Sequence, residues 1–224
     1  EIDNPGVKEE RAEYAKKRLN DIKLKIIKEY GFSLGLQMMT GLPASTSEAE
    51  AETARQFVTL GAHIARIYPT AVFCDTPLAK MLYDGQYVPP TMEETVSRAA
   101  RALEILENGG VQVIRIGLQE TEPLGGQIVA GAYHPAMGEL VRSRLWRERL
   151  EKAIEPFSGK AVTVYCEKRL RSLLVGQKRE NFIYISKKHR VSLSLKDTEE
   201  GCFLLCHGER VAVEIPKRKE DQHD

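Results

Sequence analysis

The sequence lacks any run of about 18 apolar residues, the length a membrane-spanning helix needs. Its first residues, from Glu1 onward, are polar and charged where a secretory leader would be apolar. Both absences point to the cytoplasm and away from a membrane. Cysteine is scarce: Cys74, Cys166, Cys202 and Cys206 are unevenly spaced, make no secreted disulfide framework, and are taken as reduced. Charge of one sign is also lacking, since 33 basic residues face 32 acidic ones for a formal net charge of +1. Nor is there a Gly-x-Ser-x-Gly elbow, a Walker loop, a Gly-x-Gly-x-x-Gly fingerprint or a zinc-hydrolase histidine pattern. Hydrolase and nucleotide-kinase readings therefore have no support.

The residues present suit a soluble globular chain: 224 residues, 42% apolar and 29% charged, enough for one large domain or two smaller ones. Residues 33–43 organise it. They are apolar except for Gln37 and close on Gly41-Leu42-Pro43, which reads as a strand buried on both faces of a parallel sheet. Such sheets place ligands beyond the carboxyl ends of their strands, so Gly41-Leu42-Pro43 opens the functional end. Upstream, Ala12, Ala15, Leu19, Ile22, Ile26 and Ile27 recur at helical spacing. Downstream, a helix runs to about Leu60, a strand spans 63–68, and a long connection covers 71–92 with a short helix near 78–83. A helix of about 93–107 behind Thr91 and a strand at 111–118 complete a βαβαβ run with right-handed crossovers. Three strands cannot close a barrel.

Arg66, Tyr68, Arg115 and Gln119 alternate along these strands, and polar side chains aimed into a core need partners. A bound cofactor supplies such partners, and so does a polar network between strands. Gly125, Gly126 and Gly131 mark a loop. His134 within it is either a loop hydrogen-bonder or a group for acid/base work or phosphate contact. A helix over about 139–154 carries Arg142, Arg144, Arg147, Arg149 and Lys152, with Trp146 and Leu150 as apolar anchors. Its basic side is either solvated or turned toward nucleic acid.

Residues 156–159 (Pro-Phe-Ser-Gly) read as a domain boundary. Beyond them come a strand (161–166), a helix (about 168–174), the loop Gly176-Gln177-Lys178-Arg179, a helix (180–189) and strands at 191–195, 202–206 and 210–215. From Lys160 to Arg190 nine basic residues (Lys160, Lys168, Arg169, Arg171, Lys178, Arg179, Lys187, Lys188, Arg190) outnumber two acidic ones (Glu167, Glu180). That is the segment suited to a polyanion. Cys202, Cys206 and His207 invite a metal reading, but Cys202, Leu204 and Cys206 share one face of a strand, as a core stripe does. No second ligand pair lies nearby. Cys74 sits near the carboxyl end of a strand as a lone thiol.

Several of these strings carry a family resemblance. Residues 33–43 resemble the fourth strand of the radical SAM barrel. Arg66-Ile67-Tyr68-Pro69-Thr70, Thr76-Pro77-Leu78 and Gly85-Gln86-Tyr87 resemble the fifth-strand region of the radical SAM family related to the Elongator catalytic subunit. Val113-Ile114-Arg115-Ile116-Gly117-Leu118-Gln119 resembles its sixth strand. Tyr133-His134-Pro135, Glu139-Leu140-Val141 and Ser143-Arg144 resemble the segment after that strand in a bacterial branch. The loop Gly176-Gln177-Lys178-Arg179 between two helices resembles the Gly-x-x-Gly clamp of a KH domain, with Arg179 in place of the second glycine.

The resemblance implies an α/β fold. The chain would carry the later half of a radical SAM (β/α)6 partial barrel over 1–155, a small α+β KH-like domain over 160–216, and a charged tail over 217–224. It implies S-adenosylmethionine and a 4Fe-4S cluster as cofactors of the complete enzyme. Gln37, Arg66 and Arg115 lie on the cofactor side, with Tyr68 and Gln119 second. That cluster is held by a Cys-x3-Cys-x2-Cys loop, because thiolates suit such clusters, and no three of these four cysteines have the spacing. With Glu1 instead of Met at its start, the chain reads as the C-terminal portion of a longer enzyme. A missing N-terminal half, or a partner chain, would supply the ligands and cover the sheet edge. The complete enzyme would cleave S-adenosylmethionine reductively to start radical chemistry, with RNA, tRNA included, held at Gly176, Lys178 and Arg179. The acetyl-transfer domain of the Elongator subunit is not recognisable. Two readings stand beside this one: a non-catalytic RNA-binding module lacking the iron-sulfur site, and an unrelated α/β-barrel enzyme acting on small metabolites.

Overall fold

Three parallel strands frame the first half of the chain. In the computed structural model, which describes residues 25–27, 29–118 and 127–213, β1 (Gly35–Thr40), β2 (Ile64–Pro69) and β4 (Gln112–Ile116) lie side by side in that order. Helices α1 (Ser47–Thr59) and α3 (Met92–Asn108) make the crossovers. Both start where local chemistry dictates. Thr46 accepts the Ala49 N–H at the head of α1, and Thr91 and Glu94 form a reciprocal capping box at the head of α3. Alternate strand residues Met38, Ala65, Ile67 and Val113 share a core with Phe57 of α1 and with Leu103 and Leu106 of α3. Ile67, Leu103 and Leu106 are fully buried, and each contributes about 1.5–3 kcal/mol of apolar burial.

The opposite face of this sheet is open. Gln37, Arg66 and Arg115 are exposed on it, and Met39 is 41% exposed. This corrects the reading of residues 33–43 as a strand buried on both faces. Burial alternates along β1, because the described residues leave one side of the sheet to solvent.

A second correction concerns the connections. β3 (Ala71–Phe73) pairs antiparallel with β5 (Ile128–Gly131), so Gly131 ends a strand where a loop was expected. Gly125 and Gly126 lie outside the described residues. Strands this short show no usable periodicity, and their pairing spans the whole of α3 and β4. Helix α2 (Pro77–Tyr83), capped by Thr76, completes this small layer, whose core is Val72, Ala79 and Tyr87. The helix expected upstream of residue 30 lies outside the described residues apart from its end, where residues 25–27 are helical.

Helix α4 (Met137–Ile154) belongs to two cores. Val141 and Leu145 pack in the first; Trp146, Leu150 and Ile154 pack in the second. The second core lies between helices and a sheet of order β7-β6-β8-β9, formed by β6 (Ala161–Cys166), β7 (Ser192–Asp197), β8 (Phe203–Cys206) and β9 (Glu209–Ala212). β6 and β7 are parallel and the other pairs antiparallel. The helix expected at 168–174 is a 3-10 turn (Lys168–Leu170) leading into the short α5 (Arg171–Val175), while α6 spans Glu180–His189. On the far side of the sheet Tyr165 and Phe203 stack with ring centroids 4.8 Å apart. Lys196 and Arg210 close the two ends of the stack, at 5.9 and 3.7 Å.

The arginines of α4 are neither a solvated face nor one turned to nucleic acid. Arg142 donates to Glu107 Oε1 at 2.8 Å, Arg144 to Glu148 at 2.6 Å, and Arg147 lies 4.5 Å from the Tyr184 ring centre. Arg149, with 9% of its side chain exposed, is 3.6 Å from Glu107. Packing against α3 and α6 absorbs their charge.

Candidate functional site

Parallel register brings the strand residues together. Gln37 pairs with Arg66 across β1 and β2, and Arg66 pairs with Arg115 across β2 and β4 after a register shift at Ala65/Arg66. The shift leaves Ile114 without an opposite residue and sets Arg115 level with Arg66. The result is a polar row across the open face. Tyr68, half-buried, lies two residues further along β2 on the same side. Gln119 lies outside the described residues. Two guanidinium groups opposite one another repel, so an anionic group on this face would be held by both. Guanidinium forks suit a carboxylate or phosphate. The side chains of Gln37 and Arg66 make no hydrogen bond or ion pair among the described residues.

Beyond the carboxyl end of β1 the Gly41-Leu42-Pro43 turn is held from below. Gly41 takes a φ of +81°, and a Cβ there would meet Pro90 at 3.0 Å, so only glycine fits without strain. The buried Glu50 of α1 is the clamp. Its Oε1 accepts the Gly41 N–H at 2.7 Å, the Ser45 hydroxyl at 2.9 Å and an Arg98 N–H at 3.3 Å. Arg98 also donates to the Ser45 carbonyl at 3.3 Å. From above, the Tyr87 hydroxyl donates to the Gly41 carbonyl at 2.5 Å. Burial raises the Tyr87 phenol above its ordinary value, with Arg98 opposing and Glu50 adding to the shift, so it stays a donor at neutral pH. Sequence reading missed this clamp. Glu50 looked like any first-turn carboxylate, and its partners lie nine residues away at Gly41 and 48 away at Arg98.

The second region is the loop between α5 and α6. Gly176 takes φ +74°, and a Cβ there would lie 2.9 Å from the Asn181 side chain. Lys178 (φ 47°) and Arg179 (φ 64°) are both left-handed, so Arg179 adopts without a glycine the conformation that a Gly-x-x-Gly loop assigns to one. That arrangement is strained and is fixed by Asn181. Its buried amide donates to Ser143 Oγ at 3.0 Å and to the carbonyls of Leu173 (3.0 Å), Leu174 (3.2 Å) and Ser143 (3.2 Å). Beside the loop a groove of about 530 Å³ is lined by Arg179, Phe182, Ile183, Ser186, Lys187 and Leu193. It adjoins one of about 350 Å³ that reaches Arg171 and Leu195. The floor is apolar and the rim basic.

Residues 62–147 match the family model of the Radical_SAM C-terminal domain. That segment is similar to the C-terminal domain of radical SAM proteins. The match spans β2 through most of α4 and agrees with the family resemblance read from the motifs within it; residues 33–43 lie ahead of it. Among solved structures the chain is similar to the archaeal Methanocaldococcus infernus Elp3 with an N-terminal deletion (1–46), at 26% identity with a TM-score of 0.49. That likeness covers 56% of this chain and 30% of the other, so the chain spans about a third of that protein's length. No curated protein matches it.

The remaining candidates of this segment and its C-terminal neighbour are structural. His134 accepts the Ala136 N–H on Nδ1 at 3.0 Å, just ahead of α4. Cys166, Cys202 and Cys206 are buried in the second core, and burial first, then Cys166 and Glu167, pushes the Cys202 thiol up to about 12. No group of three metal-binding side chains forms among the described residues. The four cysteines therefore do not fit a 4Fe-4S cluster. The row of Gln37, Arg66 and Arg115, by contrast, offers hydrogen-bond donors that suit a carboxylate, a group S-adenosylmethionine carries.

Proposed function

We propose that this chain is the C-terminal portion of a radical SAM enzyme that acts on RNA, with tRNA as the representative substrate. The observation that carries the reading is the polar row on the open sheet face, of which Arg66 and Arg115 lie inside the segment that matches the family and Gln37 lies ahead of it. In the complete enzyme S-adenosylmethionine and a 4Fe-4S cluster would supply a carbon-centred radical, and the cluster ligands would come from a missing N-terminal barrel half or a partner chain. Arg66 and Arg115 then hold the carboxylate of S-adenosylmethionine, Gln37 offers its amide, and Tyr68, with Gln119, closes the polar side of the site. The clamp at Glu50 keeps the Gly41 turn fixed at the rim, so that substrate meets one rigid surface. The C-terminal groove grips RNA, with Gly176 allowing close approach and Lys178 and Arg179 meeting phosphate. On this reading residues 1–155 and 160–216 are separate domains that share α4 as a strut, 217–224 is a tail, and the enzyme works in the cytoplasm. No described helix is long and apolar enough to cross a membrane.

The test begins with the intact mass of the protein as its source cell makes it. A mass well above the 25.2 kDa of this chain is expected. The intact protein, loaded anaerobically with iron and sulfide and then reduced, should release 5′-deoxyadenosine from S-adenosylmethionine, and Arg66→Gln should slow that release. A mass equal to this chain, with no deoxyadenosine formed, sinks the enzyme reading and leaves a non-catalytic RNA-binding module.

A further inference from the structure

The C-terminal sheet sets two buried thiols opposite one another. β6 and β8 pair antiparallel, with Val164 opposite Leu204 and Tyr165 opposite Phe203. The next pair in that register is Cys166, the last residue of β6, and Cys202, the residue just ahead of β8. Backbone hydrogen bonds fix what kind of pair it is. The Cys166 carbonyl accepts the Thr198 N–H, just past β7, and the Cys202 carbonyl accepts the Val213 N–H, just past β9, both at 3.0 Å. The N–H and carbonyl of one strand residue point the same way, so each cysteine turns its backbone groups away from the other. They form a non-hydrogen-bonded pair, the closer of the two antiparallel kinds, with Cα atoms about 4.5 Å apart. Both side chains enter the second core beside Val164 and Leu204, with Cys166 fully buried and Cys202 5% exposed. On the other face the Tyr165–Phe203 stack holds the neighbouring pair in register.

We infer that Cys166 and Cys202 are a disulfide-forming site, oxidised by peroxide, and that the bond ties together the two ends of residues 167–201. A disulfide spans Cα separations of ~4.4–6.8 Å, and this pair meets that range where other pairings do not. Cys206 faces Val162 in the same register and lies about 13 Å along the strand from Cys202 at ~3.3 Å per residue. Cys74 belongs to the layer of β3 and β5, where its N–H donates to the Gln127 carbonyl. Gly201, beside Cys202 at φ +87°, lets the chain adjust as the bond closes. In the first step one thiolate attacks a peroxide oxygen. The O–O bond breaks, the sulfur becomes a sulfenic acid, and the other oxygen leaves as hydroxide and takes a proton. In the second step the partner thiol attacks that sulfur, the S–O bond breaks, and a second water leaves. Two thiols thus lose two protons and two electrons, and one hydrogen peroxide becomes two waters. Burial keeps both thiols protonated, so the first step is slow, and a small neutral oxidant suits a closed core. The segment between the cysteines carries α5, the Gly176–Arg179 loop, α6 and β7, which are the walls of the groove. The bond forms whether or not that groove takes RNA.

The test treats the folded chain with hydrogen peroxide, removes the excess with catalase, then unfolds the protein with an alkylating reagent present and maps its peptides by mass. The expected result is a chain lighter by two hydrogens, with the Cys166 peptide linked to the Cys202 peptide and Cys206 alkylated. No Lys or Arg separates Cys202 from Cys206, so fragment ions assign the linked sulfur. Cys206→Ala, which leaves one cysteine in that tryptic peptide, should link as the parent does, and Cys202→Ala should not link. The linked form should show a raised Tm, and dithiothreitol should return it to the parent value. A link of Cys166 or Cys202 to Cys206 or Cys74 overturns the inference. Oxidation of Cys74 to its acids with Cys166 and Cys202 both still alkylated does so as well, because the oxidant then worked and the pair did not close. A link that forms only after unfolding overturns it too, and a linked form with an unchanged Tm removes the tie across residues 167–201.

Discussion

Replacing Glu50 by alanine should destabilise the chain by about 3 kcal/mol, a figure set by the donors its Oε1 accepts. The Gly41 N–H, bonded at 2.7 Å in a buried setting, would be left without an acceptor, at about 1–3 kcal/mol. Arg98, whose side chain is 24% exposed, keeps the Ser45 carbonyl and reaches water. Its share thus falls well below the ~3–5 kcal/mol of a fully buried broken pair. The Ser45 hydroxyl is part-buried and finds water at little cost. At ~2–4 °C per kcal/mol for a chain of this size, Tm should fall by about 6–12 °C in a calorimetric scan. Glu50→Gln keeps an oxygen for Gly41 and loses only the charge opposite Arg98, so its fall should be about a third as large. A change below about 2 °C for Glu50→Ala would refute the reasoning, because the turn would then be held by something other than this carboxylate.

Asn181→Ala should cost about 1–3 kcal/mol, since it strips a donor from the carbonyls of Ser143, Leu173 and Leu174. Asn181→Asp should cost more in urea unfolding, because it sets a carboxylate against those same oxygens; equal midpoints for the two variants would deny the hub its role. For Glu151, burial pushes the carboxyl up, but hydrogen bonds from Lys188 and His189 outweigh it and hold the group below the ordinary glutamate value of 4.5. A lowered carboxylate stabilises above its unfolded pKa and loses that contribution as pH falls through the folded one. Glu151→Gln should accordingly flatten the acid limb of the stability curve below about pH 4.5 and leave the rest of the curve parallel to the parent's; an unchanged acid limb would count against the contact. Cysteine labelling at pH 8 should reach Cys74 first and leave Cys166 and Cys202 untouched until unfolding, since burial raises both buried thiols. Rapid modification of Cys202 in the folded protein would contradict its place in the core.

Element type and order belong to the sequence itself. The apolar run that ends at Gly41, the Thr46 and Thr91 caps and the helix over 180–189 are written in residues within a turn or two of one another, and the βαβαβ run is their consequence. The family motifs, too, are local strings, and those within residues 62–147 agree with the match there. Tertiary structure decided everything that depends on which distant residues become neighbours. Gln37, Arg66 and Arg115 form a row because of strand register and one shift between Ala65 and Arg66, and a shift by one residue would send each side chain to the opposite face. Glu50 became a clamp only when the crossover helix set it beneath Gly41. Arg142, Arg147 and Arg149, indistinguishable in the sequence from a nucleic-acid face, became packing residues once α3 and α6 supplied Glu107 and Tyr184. Propensity and spacing act over a few residues, whereas burial, register and charge pairing are sums over the folded chain, and no window of sequence contains them.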